Sequence, residues 1–186
     1  MALSDSRTPV VAVVMGVCGV GKSTVGAAIA ASLGVEYLDA DTLHPAANVA
    51  KMAAGIPLND DDRQPWLEAV RDRISTWSGD PCSGGIVACS ALKRRYRDLL
   101  RSGNPGLRFV YLHANHDAIS VRLASRVGHY MPASLLASQL AALEEPSSGE
   151  GEAVLRVDAE AAVEAIVPRA AAWLLSGNGS GPSASS

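Results

Sequence analysis

Apolar and polar positions divide the chain into short apolar runs separated by longer stretches with helical periodicity. The first run, residues 10–15, is continuous and mostly β-branched, which is typical of a central strand buried on both faces of a parallel sheet. Four further runs predict strands at residues 35–38, 85–89, 107–112 and 154–157. Helical patterns lie between them, at residues 22–33, through 48–52, from Pro65 in a first turn to Trp77, and at 117–125, 133–143 and 159–175.

This alternation predicts an α/β protein in which a parallel β-sheet is flanked by helices and joined by right-handed crossovers. Ligands of such sheets bind at the carboxyl ends of the strands. We expect one domain over residues 10–175, preceded by a flexible N-terminus at 1–9. Residues 176–186 are low in sequence complexity and are predicted to be disordered.

Composition narrows the class of protein. The formal net charge of −3 gives no basis for nucleic-acid binding, which favours a basic surface. The three cysteines include no C-x-x-C pair and indicate neither a disulfide framework nor a zinc site, so we expect a reduced, cytoplasmic protein. No run of about 20 apolar residues predicts a membrane span, and the first nine residues do not resemble a signal peptide.

Residues 16–24 match G-x-x-x-x-G-K-[ST], the phosphate-binding P-loop, and they lie between a predicted strand and a predicted helix. Glycines permit the tight bend and a close approach of the backbone to phosphate. The start of the helix favours an anion, a lysine adds positive charge, and a serine hydroxyl suits Mg²⁺. A glycine-rich turn without a ligand is the alternative. The predicted nucleotide-binding residues here are Gly16, Gly19, Val20, Gly21, Lys22, Ser23 and Thr24.

Two carboxylates, Asp39 and Asp41, follow the second predicted strand. One can hold a magnesium-bound water while the other accepts a proton or hydrogen bond from an attacking hydroxyl, although aspartates also occur in ordinary turns. Arg122 and Arg126 share one helix face and can stack on adenine or bind phosphoryl oxygens; a solvated basic face is the alternative. The segment 126–132 that follows is predicted to be a small lid with Gly128 as a hinge.

Cationic and histidine side chains in the middle of the chain suit an anionic small substrate, although each can equally be a solvated or structural residue. Asp60, Asp61 and Asp62 form either an acidic helix start or a solvated loop, and Trp66 and Trp77 are predicted core residues. The candidate substrate ligands are His44, Lys51, Arg63, Lys93, Arg94, Arg97 and His129.

Longer motifs resemble those of the gluconokinase family of small P-loop kinases. They include L-N-D-D-D-R-Q-P-W at 58–66 and C-S-A-L-K-R-R-Y-R-D-L-L-R at 89–101, with shorter matches at 39–45, 48–52, 128–131 and 138–146. The resemblance implies the P-loop fold of nucleoside monophosphate and shikimate kinases. It also implies a kinase that phosphorylates D-gluconate with ATP and Mg²⁺ to give 6-phosphogluconate for the pentose phosphate pathway, often as a homodimer.

The resemblance also implies residue roles. Lys22, Asp41 and Arg126 would be catalytic, with Asp41 orienting or deprotonating the primary hydroxyl. Asp39 would act through a magnesium-bound water beside Ser23, and Arg122 would lie against adenine. The residues implied around gluconate are Asp41, His44, Lys51, Arg63, Lys93, Arg97 and His129. The chain departs from the family pattern at Cys18 and Val20, where small residues are expected, and at Val127, where a basic residue is expected.

Two other functions stay open on sequence alone. One is a related kinase for a different small acceptor, such as shikimate or a nucleoside monophosphate. The other is a regulatory nucleotide-binding switch, which would require D-x-x-G and N-K-x-D motifs. No aspartate of the sequence begins a D-x-x-G motif, and residues 115–117, Asn-His-Asp, do not match N-K-x-D.

Overall fold

The computed structural model describes residues 9–80, 82–124, 133–148 and 151–176. The predicted lid at 126–132 lies outside these ranges. So do the predicted flexible N-terminus, apart from Pro9, and the predicted disordered tail, apart from Ser176.

Five parallel strands form one sheet in the order β2-β3-β1-β4-β5. This confirms the predicted parallel α/β architecture, and each strand lies within one residue or so of its predicted limits. The strands are β1 (Val11–Met15), β2 (Glu36–Asp39), β3 (Gly85–Ala88), β4 (Arg108–His113) and β5 (Ala153–Asp158).

Seven α-helices and one short 3₁₀ helix, Ala40–Leu43, are present in the described ranges. None of these helices is both long enough and apolar enough to cross a membrane. The α-helices are α1 (Lys22–Leu33), α2 (Ala46–Ala53), α3 (Asp60–Ser78), α4 (Arg94–Arg101), α5 (His116–Ala124), α6 (Ala133–Ala142) and α7 (Val163–Leu175).

The core has two layers, one on each face of the sheet, and the alternation of side chains along β1 supplies both. Ala12 and Val14 pack with residues of α1, α5 and α7. Val11, Val13 and Met15 pack on the opposite face with α3 and α4, where Trp66 and Trp77 are buried as predicted. Because β1 is covered on both faces, its carboxyl end is held rigidly, and the P-loop begins there.

Two helices start at positions other than those predicted. Helix α3 begins at Asp60, because Asn59 and Asp62 form a capping box, so Pro65 lies in the second turn instead of the first. Helix α7 begins at Val163 instead of 159, because the Asp158 carboxylate accepts the backbone N–H of Glu160 and holds a turn before the helix. The acidic stretch at 60–62 is therefore a helix start.

The packing of β3 against α3 can be tested at Gly85. A Cβ on Gly85 would overlap the indole ring of Trp77, which is fully buried and has no room to move aside. We expect Gly85→Ala to lower the free energy of unfolding by about 2–3 kcal/mol through overpacking. Urea denaturation measures this. As a control, Gly106→Ala meets no atom within 4 Å and should unfold at nearly the wild-type urea concentration; equal midpoints for the two variants would contradict the analysis.

Candidate active site

The P-loop connects β1 to α1 and turns through three glycines in left-handed or related conformations. Gly16, Gly19 and Gly21 have φ angles of 145°, 76° and 106°. The first helical hydrogen bond of α1 runs from the Val25 N–H to the Gly21 carbonyl. The N–H groups just before it have no partner one turn earlier in the helix, so they point out of its N-terminus, which is the arrangement that binds phosphate.

The loop is also packed against the protein. Gly19 lies against α5, where a Cβ would come within 2.7 Å of the Leu123 side chain. Val17, Cys18 and Val20 are buried in the core, which explains apolar residues where the family pattern favours small ones. The need for glycine at 19 therefore comes partly from helix packing, in addition to the predicted approach of phosphate.

Lys22 starts α1 and folds back on the loop, where its ammonium donates to the Val17 carbonyl at 3.0 Å. Burial lowers the pKa of Lys22, while the carboxylates of Asp41 and Asp39 act in the opposite direction.

Ser23 and Asp39 meet at the start of α1. The Ser23 hydroxyl donates to the Asp39 carboxylate at 3.1 Å, and the other Asp39 oxygen accepts the backbone N–H of Asp41. Thr24 is exposed beside them. These oxygen atoms fit Mg²⁺, which takes one or two protein ligands and completes its shell with water and substrate phosphates. No cluster of three His, Cys, Asp or Glu side chains in the described ranges could hold a metal by itself.

His44, a predicted substrate ligand, packs against Trp66 just after the 3₁₀ helix. Their rings stack with centroids 4.3 Å apart and planes 15° from parallel, and the Trp66 indole donates to the Ala40 carbonyl. The Asn48 side chain lies 3.3 Å from His44 Nδ1 and also donates to the Asp62 carbonyl. These contacts fix the imidazole so that its Nε2 faces Asp41, 3.9 Å away.

The pKa of His44 is lowered, first by burial and then by the nearby Arg63, against an opposing effect of Asp41. The ring is therefore neutral at physiological pH, where one of its nitrogens can accept a hydrogen bond. A neutral imidazole beside Asp41 suits contact with a sugar hydroxyl.

Three predicted cations gather around the start of α3. The Lys51 ammonium contacts the Asp62 carboxylate at 2.6 Å, and Arg63 donates to the Leu58 carbonyl at 2.6 Å. The hydrogen bond from Lys51 is the main reason why the pKa of Asp62 is lowered.

On the other side of the helix start, Lys93 donates to Asp60 at 3.0 Å, and Arg95 and the Tyr96 hydroxyl also contact that carboxylate. Arg94, at the start of α4, pairs with Asp98 at 2.9 Å.

Arg97 does not lie in the site, and the prediction that it binds the substrate is wrong. Its side chain is 1% exposed and pairs at 2.7 Å with Glu152, which is equally buried. The same guanidinium donates to the carbonyls of Ala91, Leu92 and Glu144. Ala91 has a φ of 44°, a costly conformation for a residue with a Cβ. Arg97 thus stabilises the bend that presents Lys93.

Arg122 lies beside the P-loop. It donates to the Val20 carbonyl at 3.3 Å and to the Ala159 carbonyl at 2.6 Å. The position agrees with a place at the nucleotide end of the site. The predicted site residues Arg126 and His129 lie outside the described residues.

Sequence reasoning gave no role to Asn48, Tyr96 or Gln139 and treated Asp60 only as part of a helix start or a loop, but all four contact predicted site residues or their supports. Asn48 and Gln139 are polar residues within helical runs of mostly apolar or small residues, a pattern that signals a specific partner. Nothing in the local pattern pairs Asp60 with Tyr96, because 36 residues separate them.

Comparisons with known proteins show the family of the chain. A family model of shikimate kinase matches residues 18–146. The thermoresistant gluconokinase of Escherichia coli (strain K12) is 46% identical over 155 residues, 83% of this chain and 87% of that protein. The gluconokinase of Gluconobacter oxydans (strain 621H) is 47% identical over 150 residues, 80% and 82% of the two chains. The crystal structure of a gluconokinase from Sinorhizobium meliloti 1021 has a TM-score of 0.80 and 46% identity, with 90% and 93% of the two chains covered.

The five-stranded parallel sheet, the P-loop and the carboxylates after β2 define a small P-loop kinase of the shikimate kinase type. Within that class, the chain belongs to the gluconokinase family. The resemblance drawn from the motifs between residues 39 and 146 is confirmed.

The structural role of Arg97 can be tested by Arg97→Met, which removes the guanidinium but keeps much of the side-chain volume. We expect a loss of about 3–5 kcal/mol in unfolding free energy, because Glu152 is left buried without its partner. Arg71→Met is the matched control, since Arg71 pairs with its exposed neighbour Asp72 and should contribute less than about 1 kcal/mol. Chemical denaturation compares the two, and similar small losses would contradict the assignment.

Proposed function

We propose that this gluconokinase-family protein transfers the γ-phosphoryl group of ATP to the primary hydroxyl of D-gluconate. The observation that carries the proposal is the cluster after the P-loop serine: the Ser23 hydroxyl contacts the Asp39 carboxylate at 3.1 Å, and the Asp41 carboxylate lies 3.9 Å from His44. A carboxylate beside a neutral imidazole and close to the start of the P-loop helix is suited to hold a hydroxyl in line with a terminal phosphate.

In this proposal the P-loop N–H groups and Lys22 bind the phosphates of ATP. The gluconate hydroxyl oxygen attacks the γ-phosphorus, and its proton passes to the Asp41 carboxylate. The bond between the γ-phosphorus and the bridging oxygen breaks, its electron pair stays with that oxygen, and ADP leaves. His44, Lys51, Arg63 and Lys93 surround the hydroxyls and carboxylate of gluconate. Arg122 lies at the adenine end, and Arg126 and His129 keep their predicted roles.

Mg²⁺ is part of the proposal. The Ser23 hydroxyl and the Asp39 carboxylate, which lie 3.1 Å apart, would hold it directly or through water. When bound, the ion supplies positive charge to the β- and γ-phosphate oxygens.

A homodimer and a cytoplasmic location are also part of the proposal. The dimer rests on the family resemblance. The location rests on a cysteine pattern typical of reducing compartments, and Cys18 and Cys89 are buried free thiols in the structure. Light scattering on purified protein measures the mass that distinguishes one copy from two.

The acceptor can be identified by measuring ADP release from purified protein with ATP and Mg²⁺. We expect release with D-gluconate to exceed release with other sugar acids, shikimate and nucleoside monophosphates by a hundredfold or more in kcat/KM, on the order of what several unpaired polar groups cost a wrong substrate. Fast release with shikimate or a nucleotide would replace gluconate as the substrate, and nucleotide binding without acceptor-dependent release would support a switch.

The role of Asp41 can be tested with Asp41→Asn. Turnover with gluconate should fall by about 10²–10⁴, the usual contribution of a positioned base, while binding of a non-hydrolysable ATP analogue is unchanged. The Asp61→Asn variant is the control, since Asp61 is an exposed carboxylate at the start of α3, and it should keep wild-type turnover. A rate for Asp41→Asn equal to that of the control would refute the assigned role.

A further inference from the structure

A side chain from α6 reaches the P-loop. The backbone N–H of Cys18 donates to the Gln139 side-chain oxygen at 2.7 Å, across 121 residues of sequence. A backbone N–H only donates, so the oxygen of this carboxamide is the atom that faces the loop. Gln139 is half-buried and follows the buried Leu136 by one turn, so the helix is anchored where the side chain leaves it.

This hydrogen bond is shorter than neighbouring ones in the loop. Gly16 donates to the Ser90 carbonyl at 3.4 Å, and Val20 donates to the Val17 carbonyl at 3.4 Å. A loop built on glycines has many accessible conformations, and each outside contact that fixes it removes some of them. The contact with Gln139 is thus well placed to select the conformation in which the later N–H groups converge on phosphate.

Gln139 begins a segment, residues 139–144, whose other end is bonded to the loop and helix start around Lys93. The Glu144 N–H donates to the Leu92 carbonyl at 2.9 Å, and its carboxylate accepts the Arg94 N–H at 2.6 Å. The Glu144 carbonyl accepts from the buried Arg97. Residues 139–144 therefore connect the P-loop to the loop that carries Lys93, so Gln139 is held from both directions.

We propose that Gln139 is a positioning residue for the nucleotide: through the Cys18 N–H it holds the P-loop in its phosphate-binding conformation. The inference rests on the proposed nucleotide site but not on the identity of the acceptor. A neutral carboxamide suits this place, because a carboxylate would accept the same hydrogen bond but would set a negative charge beside the phosphates.

The test compares Gln139→Leu and Gln139→Glu with wild type, using a non-hydrolysable ATP analogue and Mg²⁺ without acceptor. Leucine removes the acceptor, and we expect binding about five- to tenfold weaker at both low and high salt, as for the loss of one hydrogen bond. Glutamate keeps the acceptor and adds a charge, so its binding should be weak at low salt and recover at high salt. Gln64→Leu is the matched control, because Gln64 is exposed and pairs with Glu68, and it should bind normally.

Wild-type analogue binding by Gln139→Leu would overturn the proposal. So would weaker analogue binding by Gln139→Leu that is accompanied by a lower thermal unfolding midpoint, since the two together would mark a general structural role. Because the binding assay contains no acceptor, its result can be interpreted even if the protein does not phosphorylate gluconate. The two proposals can therefore fail separately.

Discussion

The bend of the P-loop is the constraint on which the rest of the structure depends. Its N–H groups can converge on phosphate only if Gly16, Gly19 and Gly21 adopt positive φ angles and if α1 starts directly afterwards. Burial of β1 on both faces of the sheet holds one end of the loop, and α1, packed on β1, β2 and β3, holds the other. The buried side chains of Val17 and Val20 fasten the middle.

The remaining predicted site residues are brought together at the carboxyl ends of the strands. Asp39 ends β2 and contacts Ser23 of α1, and Asp41 lies in the 3₁₀ helix that follows, where its backbone N–H donates to Asp39. The 3₁₀ helix after β2 turns the chain so that His44 stacks on Trp66. In this way the site is built on short, tightly held connections between buried elements, which is how side chains are kept in fixed geometry without substrate.

Two of the predicted substrate-binding cations are paired with carboxylates in the structure. Lys51 contacts Asp62 and Lys93 contacts Asp60, and both carboxylates lie in the first turn of α3, where the helix dipole favours negative charge. These ion pairs hold both lysine side chains in place in the structure without substrate. Arg97 is different, because burial with Glu152 turns a potential ligand into a support for the loop beside Lys93.

The sequence by itself determined the local features: the strands, the P-loop, the paired aspartates, the buried tryptophans and, through long motifs, the family. These follow from short-range periodicity and from glycine, lysine and serine at fixed spacing. Only the tertiary structure decided which partner each cation has. Arg97 and Lys93 are four residues apart in one motif, yet one is buried with Glu152, 55 residues away, and the other contacts Asp60. The contact between Gln139 and Cys18 is decided in the same way, because a hydrogen bond across 121 residues depends on how helices pack on the sheet, which local spacing does not encode.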